Sequence, residues 1–270
     1  MLPSLRLTTL KYGAITVTNL QNQLAYIWDA FNRAFFILVV MYIFAQLWTA
    51  VYQSQGTAEI AGLTLANTIW YFLIAEIIEM GKFRHDITIS EEVKDGSIAY
   101  TLVRPYNYLA YHFFNGLGET VIKMGVLFLS GSLICLYYAG LPTVQMVHLP
   151  AVLLVLVLAI LLDFCFLSMI GLLAFVTEDT GSFRLIYQKF IFILGGLLIP
   201  IDFLPDWLQT IARALPFSAI TYAPAKLFVA FSWPEFGQLL AAQLIWLLLA
   251  GGLLYAQYRW AARRLLVNGG

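Results

Sequence analysis

The sequence predicts an all-α membrane protein that folds as a single domain over residues 1–270 and crosses the bilayer six times. Hydrophobic residue types make up 61% of its 270 residues and charged types only 11%, whereas soluble domains carry about 25% charged residues. Six apolar runs are long enough, or nearly long enough, to span a bilayer. Lys and Arg are concentrated in alternate loops between these runs, which is the charge pattern of a multi-pass protein.

The six predicted spans lie at 34–52, 63–80, 121–138, 149–176, 187–204 and 236–258. A spanning helix needs about 17–25 apolar residues, so the fourth run is long enough to tilt or to extend into the cytoplasm. The fifth run is at the short limit and ends at Pro200 and Pro205. We therefore expect the fifth span to be the least regular of the six.

The distribution of basic residues gives the six spans a direction. No Lys or Arg occurs in 54–59 or in 139–148, and 201–235 contains only Arg213 and Lys226. The other thirteen of the 15 basic residues lie in the alternate segments. Because cytoplasmic loops carry an excess of Lys and Arg, this pattern predicts a multi-pass protein of the cytoplasmic (inner) membrane with both termini in the cytoplasm.

Composition and residue spacing argue against several kinds of partner. The formal net charge is zero, and no basic stripe suited to phosphate binding is present, so we expect no nucleic-acid partner. Cys135 and Cys165 lie inside apolar runs, which indicates packing rather than a disulfide. His85, His112 and His148 lack the spacing of metal ligands, so no metal site is predicted.

The sequence contains no nucleotide-binding or catalytic motif. Gly81-Lys82 lacks the upstream glycine and the following Ser or Thr of a P-loop, so this chain should bind no ATP itself. Neither a Ser/His/Asp order nor a His-Glu-x-x-His pattern occurs. We therefore predict that the chain is not an enzyme and binds no cofactor.

Residues 14–32 precede the first span and carry one apolar stripe at helical spacing. Its members are Leu20, Leu24, Ile27, Trp28 and Phe31. Polar residues on the other faces predict an amphipathic helix in the cytoplasmic membrane interface, where Trp and Phe are favoured. A soluble helix packed on the loops is the alternative.

The cytoplasmic loop between the second and third spans is the richest polar segment of the chain. Ser90 is placed to cap a short helix that opens with the acidic residues after it, and Gly96 would end that helix. Pro105 stops any helix before the chain returns to the membrane. A short charged helix below the bilayer is a docking element, and a solvated loop is the simpler interpretation.

The segment between the fifth and sixth spans is too polar to cross the bilayer and too apolar to float freely in water. Asp206 is placed to cap a short helix over 207–215, which Pro216 ends. Irregular backbone at membrane depth has to be buried in protein or line a wet cavity. We therefore expect short helices tucked into the outer leaflet.

Asp163 is the sharpest polar signal within the spans. A carboxylate near the bilayer centre costs about 2.5–3.5 kcal/mol on insertion scales, so it needs a partner or a wet cavity. Three roles are compatible with it: a substrate-path residue, a hydrogen bond to a neighbouring helix, or a protonated buried acid. Phe164, Phe166 and Tyr42 are also deep enough to line a path for amphiphilic substrates, and packing against lipid or helices is the alternative.

The acidic residues near the span ends are predicted to be paired. Glu76 and Glu79 share one face of the second span, where structural pairing is favoured over a proton relay. Their predicted partners are Lys82, Arg84 and Lys123. Glu119 stands four residues before Lys123 and should neutralise it.

With these features the chain resembles the membrane subunits of ABC-2 type transporters, in particular the bacterial permeases related to daunorubicin and viologen exporters. The resemblance extends over essentially the whole chain, because an interfacial helix precedes six spans. Two runs support it: GSIAYTLVRP at 96–105, and GGLLIPIDFLPDW at 195–207 followed by LPF at 215–217.

The resemblance implies a cytoplasmic coupling helix and short outer re-entrant helices before the last span. The coupling residues, which would seat in a groove of an ATPase, are Ser90, Glu91, Glu92, Val93, Lys94, Asp95 and Gly96. The outer gate residues are Pro200, Pro205, Trp207 and Pro216. Asp163 matches no motif of the family.

The resemblance also implies a complex of two membrane subunits, identical or paralogous, with two cytosolic ABC ATPase subunits that carry ATP and Mg²⁺. Surrounded by membrane lipid, it would export an amphiphilic or hydrophobic substrate. A proton-driven secondary transporter using Asp163 is one alternative, although no internal repeat typical of many such carriers is visible. A membrane enzyme acting on lipids is another, without a recognisable nucleophile or metal set.

Overall fold

The computed structural model describes residues 2–24, 27–104, 106–142, 144–177 and 179–268. The predicted helix stop at Pro105 lies outside these residues. The helices are α1 (Leu2–Leu24), α2 (Ile27–Gln55), α3 (Leu65–Gly81), α4 (His85–Lys94), α5 (Ile98–Leu102), α6 (Tyr108–Ala139), α7 (Leu149–Leu172), α8 (Gly181–Leu194), α9 (Asp206–Ala214), α10 (Pro216–Ile220), α11 (Tyr222–Val229) and α12 (Trp233–Asn268). Short 3₁₀ segments lie at Met146–His148, Leu173–Phe175 and Ile201–Phe203. A small antiparallel hairpin pairs β1 (Glu59–Ile60) with β2 (Leu63–Thr64).

Within the described residues, four helices are long and apolar enough to cross a membrane. They cover Ala30–Gln55, Tyr108–Ala139, Met146–Phe175 and Trp233–Arg263. The predicted spans 34–52, 121–138, 149–176 and 236–258 fall on these four helices. The prediction of a helical, multi-pass membrane protein is therefore confirmed.

The other two predicted spans correspond to shorter helices. α3 has 17 residues, which is the lower limit for crossing the bilayer. α8 has 14 residues, or about 21 Å at 1.5 Å per residue. The predicted bounds 187–204 are wrong, because α8 starts at Gly181 and ends at Leu194, before Gly196 takes a left-handed φ of +79°. The count of six spans stays a prediction.

The predicted N-terminal helix over 14–32 falls on α1 and on the start of α2, and residues 25 and 26 of it lie outside the described residues. α1 ends at Leu24 and α2 begins at Ile27. Trp28 and Phe31 therefore belong to the first long apolar helix, where both side chains are mostly exposed. The described parts of 14–32 are helical, as the apolar periodicity predicts.

α1 packs along the first half of α6. Tyr12 stacks on Phe114 with 5.0 Å between the ring centroids, and the Thr16 hydroxyl donates to the Phe114 carbonyl oxygen at 2.8 Å. Gly118 permits this approach, because a Cβ atom there would lie 2.6 Å from the Thr16 carbonyl oxygen. α1 is thus held against the helical domain by specific contacts.

Buried apolar side chains form two clusters that meet in the middle of the domain. The first joins α2, α3, α6 and α11, and it extends to Leu63 of the hairpin. The second joins α7, α8, α10 and α12, and it extends to Ile89 of α4. Ile74 and Met124 pack against both clusters. The polar sites described below lie beside and between these two clusters.

Gly118→Ala should lower the free energy of unfolding by about 1–3 kcal/mol, because the new methyl group would overlap the backbone of α1. Thermal and denaturant unfolding in detergent would measure the change. Gly125→Ala on the same helix is the matched control, since nothing lies within 4 Å of a Cβ at that position and Ala is the better helix former. Equal effects of the two substitutions would contradict the proposed close packing.

Candidate functional site

Helix α4 begins earlier than predicted. It starts at His85 with Arg84 in the N-cap position, and Ser90 lies inside the helix, where it is 4% exposed. The Thr180 hydroxyl donates to the Ser90 hydroxyl at 3.0 Å. The predicted cap at Ser90 is therefore wrong, because the preceding turn is already helical and buried. The helix ends at Lys94, two residues before Gly96 takes a φ of +77°.

Glu92 faces α6 rather than the solvent. It accepts a hydrogen bond from the Tyr108 hydroxyl at 2.6 Å, and Nε2 of His112 lies 3.5 Å from its Oε2 atom. Partial burial raises the pKa of Glu92, but His112 and Tyr108 stabilise the carboxylate more strongly and bring its pKa below the ordinary value. Glu92 therefore joins α4 to α6.

The inner face of α4 lies directly on α7. Gly171 permits this contact, because a Cβ atom there would lie 2.9 Å from the Ile89 Cβ. The His85 ring stacks on Phe164 with 4.4 Å between centroids, and its Nε2 lies 3.1 Å from the Phe164 carbonyl oxygen. Burial lowers the pKa of His85. α4 thus packs on α7 through His85 and Ile89.

The outer face of α4 and the following α5 region form a surface that we term the α4–α5 surface. Its exposed members are Glu91, Lys94, Asp95, Gly96, Tyr100 and Val103. Tyr100 is 78% and Val103 is 85% exposed. Of the predicted coupling residues, Glu92 and Val93 are half-buried and Ser90 is buried. The surface thus combines the large exposed apolar side chains Tyr100 and Val103 with the charges of Glu91, Lys94 and Asp95.

Asp163 is buried and bonded to two other segments. The Tyr187 hydroxyl of α8 donates to its Oδ1 at 2.6 Å. The Lys82 ammonium lies 3.6 Å from the same oxygen and 2.6 Å from Glu79 of α3. Of the three roles open to Asp163, the hydrogen bond to a neighbouring helix is present. The predicted structural pairing of Glu79 with Lys82 is also present, as is the ion pair of Glu119 with Lys123.

Asp163 also lines a pocket between α3, α6, α7 and the start of α4. The pocket is narrow, with a cavity volume of about 30 Å³, which is room for about two water molecules. Polar and aromatic residues in its wall are Lys82, Phe83, His85, His112, Phe113, Thr120, Asp163 and Phe164. Nδ1 of His112 is buried without a hydrogen-bond partner among the described residues, whereas its Nε2 atom is directed at Glu92. The wall thus combines aromatic faces with polar groups that are available to a ligand.

The predicted substrate-path residues are only partly brought together. Asp163 and Phe164 share the pocket. Phe166 lies on the neighbouring face of α7 and stacks on Tyr187 with 5.8 Å between centroids. Tyr42 belongs to α2, is half exposed and contacts Tyr138. Asp163 and Phe164 therefore lie together, and Tyr42 lies apart from them.

The outer segment after α8 is held by the carboxylate of Asp202. Asp202 forms ion pairs with Arg213 at 2.7 Å and with Lys226 at 2.8 Å. It also accepts a hydrogen bond from the Tyr222 hydroxyl at 2.9 Å. Both of the basic residues in 201–235 are thus bound by one acid. Three short elements, Ile201–Phe203, α9 and α11, are tied together at this point.

The predicted outer helix is present as α9, from Asp206 to Ala214. Asp206 is its first residue and makes no capping bond, because Pro205 occupies the N-cap position; that predicted role is wrong. Pro216 opens α10 as its first residue. Of the predicted gate residues, Pro200 and Pro216 are buried, whereas Pro205 and Trp207 are exposed.

Residues 22–269 match the family model described as an ABC-2 family transporter protein. The chain belongs to the ABC-2 transporter family. ABC-2 permeases are multi-pass membrane subunits that carry no ATPase motif of their own and work with cytosolic ABC ATPase subunits. Comparison with curated proteins and with solved structures gave no match.

Three residues that organise this ABC-2 permease were not predicted from its sequence. Tyr187 and Arg184 are polar groups three residues apart on α8, so they share a face; that spacing within an apolar run was an available signal. Asp202 stands in the outer segment with two isolated basic residues, which was a signal for an ion pair. Neither pattern identifies the partner by itself, because each partner lies on another segment of the chain.

Asp163→Ala should lower the free energy of unfolding of the permease by about 3 kcal/mol, because Tyr187 and Lys82 would lose a buried partner. Asp163→Asn should cost less, since the amide oxygen can still accept the Tyr187 hydrogen bond. Unfolding in detergent would measure both, with the exposed Asp206→Ala as a control expected to stay within about 0.5 kcal/mol. Wild-type stability of both Asp163 variants would show that the pairing contributes nothing.

Proposed function

We propose that this chain is the membrane-spanning subunit of an ABC-2 exporter, which moves an amphiphilic or hydrophobic substrate out of the cytoplasm. ATP is hydrolysed by separate cytosolic subunits that hold ATP and Mg²⁺. The observation that carries the proposal is the placement of α4. Its inner face is bonded to the long helices α6 and α7 and to α8, and its outer face is open. A partner that binds the outer face and displaces α4 would therefore also displace the helices bonded to its inner face.

The α4–α5 surface is the proposed ATPase contact. Glu91, Lys94 and Asp95 supply charges that can pair across an interface, and Tyr100 and Val103 supply exposed apolar area. Glu92 has a different proposed role, because its carboxylate is directed at Tyr108. Glu92 transmits movement to α6, while the exposed residues of α4 make the contact with the partner.

The pocket beside Asp163 is the proposed start of the substrate path. Ligand pockets in proteins are mostly apolar with a few placed polar groups, and the wall formed by Phe113, Phe164, His112 and Asp163 has this character. His85 contributes to the same wall and is the first residue of α4. A shift of α4 would therefore change the shape of the pocket.

The Asp202 network is the proposed latch of the outer gate, together with Pro200, Pro205, Trp207 and Pro216.

In the proposed topology α3 and α8 are the second and fifth spans, and both termini lie on the cytoplasmic side of the inner membrane. α8 is short and exposes Phe183, Ile186, Lys189 and Phe190. Because irregular backbone and charge at membrane depth require cover, we assign this face to a second permease subunit, identical or paralogous.

Reconstitution with an ABC ATPase tests the proposed function. The purified chain alone should hydrolyse no ATP, and the chain with its ATPase in lipid vesicles should show ATPase activity that depends on the permease. Transport that proceeds without any ATPase and is lost in Asp163→Asn would instead support a proton-driven carrier.

Reversing the charge of Lys94 to Glu should weaken the complex with the ATPase about 5- to 50-fold, because a like-charge contact costs binding energy at an interface. Pull-down or surface plasmon resonance with the purified ATPase would measure the change. Arg259→Glu, at an exposed position on α12, is the matched charge-reversal control and should bind normally. Equal binding by the wild type and Lys94→Glu would exclude this surface as the contact.

A further inference from the structure

The buried ion pair between Asp86 of α4 and Arg184 of α8 is incompletely satisfied. Asp86 is 1% exposed. Its Oδ2 atom lies 3.3 Å from Nη1 of Arg184, and its Oδ1 atom is buried with no hydrogen-bond partner among the described residues. A buried charge with an unbonded oxygen is unfavourable. The Oδ1 atom of Asp86 therefore lacks a hydrogen bond, which it could gain if α4 and α8 moved relative to each other.

Arg184 carries the chemical group that can complete this contact. A guanidinium offers two parallel N–H donors that match both oxygens of a carboxylate, at distances of about 2.7–2.9 Å. The single contact at 3.3 Å is longer than this. The Arg184 side chain is 26% exposed, so it is not fully enclosed by the protein. If the first turn of α8 moved slightly toward α4, Arg184 could form two hydrogen bonds with Asp86 instead of one.

The position of Arg184 on α8 makes such an approach consequential. Thr180, immediately before α8, is bonded to Ser90 of α4. One turn further along α8, Tyr187 is bonded to Asp163 of α7 at 2.6 Å. The far end of α8 leads into Gly196, whose carbonyl oxygen accepts a hydrogen bond from Tyr71 at 2.7 Å. A tilt of α8 about its Tyr187 bond would bring Arg184 to Asp86 and displace the outer segment.

We propose that the Asp86–Arg184 pair is a two-position switch that links the nucleotide state of the partner ATPase to α8. The pair makes one contact in the resting state and two in the ATP-bound state. The inference rests on the proposed function and deepens it by naming the route from α4 to the outer segment. Both residues are positioning residues. Because the second contact forms only in the ATP-bound state, it stabilises that state, and ATP binding and pair closure strengthen each other.

Arg184→Lys is the sharpest test, because Lys keeps the charge and a single contact but cannot form two parallel bonds. The permease and its ABC ATPase would be assembled in lipid nanodiscs, and nucleotide trapped with orthovanadate would be measured against ATP concentration. The half-saturating ATP concentration should rise about five- to tenfold. The unfolding temperature of the permease alone should stay within about 1 °C of wild type. Arg259→Lys, at an exposed position on α12, should change neither quantity.

Asp86→Asn is the second variant, since it keeps the shape of the side chain and removes its charge, and it should also raise the half-saturating ATP concentration. Unchanged ATP dependence in both variants would overturn the switch. A lowered unfolding temperature with unchanged ATP dependence would make the pair a static brace, which also overturns it. A wild-type complex that traps no nucleotide would contradict the proposed function itself, whatever the Arg184 variants do.

Discussion

The core of a bilayer supplies no water to solvate a charge, so an ionised group buried there is costly unless a counter-charge or a polar group of the protein lies beside it. This constraint organises the polar contacts of the permease. Lys82 lies between Glu79 and Asp163, and Asp202 lies between Arg213 and Lys226. In each case the partners come from different segments. These ion pairs therefore compensate the desolvation of the buried charges and also hold separate segments of the chain together.

The same constraint separates α4 into two functional faces. Its buried and half-buried polar residues contact other segments: His85 contacts α7, Asp86 contacts α8, Glu92 contacts α6 and Ser90 contacts Thr180. Its exposed charged residues, Glu91 and Lys94, lie on the opposite face, where we propose that a cytosolic partner binds. The pocket beside Asp163 lies where α4 meets α6 and α7, so a displacement of α4 would reach the polar wall of the pocket before it reached the outer segment.

Features of the fold that depend on local sequence were predictable, and those that depend on distant partners were not. Apolar run length identified four of the spans, and the prolines flanking α9 identified that helix. The cap at Ser90 failed because α4 already begins at His85, and Ser90 inside it is bonded to Thr180, 90 residues away. For the candidate site, the sequence marked Asp163 and Phe164, but the role of Tyr187 and the separation of Tyr42 from them follow only from how the helices pack.

The docking of α1 on α6 has a consequence for synthesis of the chain. Thr16 contacts Phe114, which follows it by 98 residues. At about 5–20 residues per second, the ribosome needs roughly 5–20 s to make that interval. During this time α1 has been translated but its groove on α6 does not exist. α1 therefore spends this interval without its partner on α6, and their contact is a long-range rather than a local step of folding.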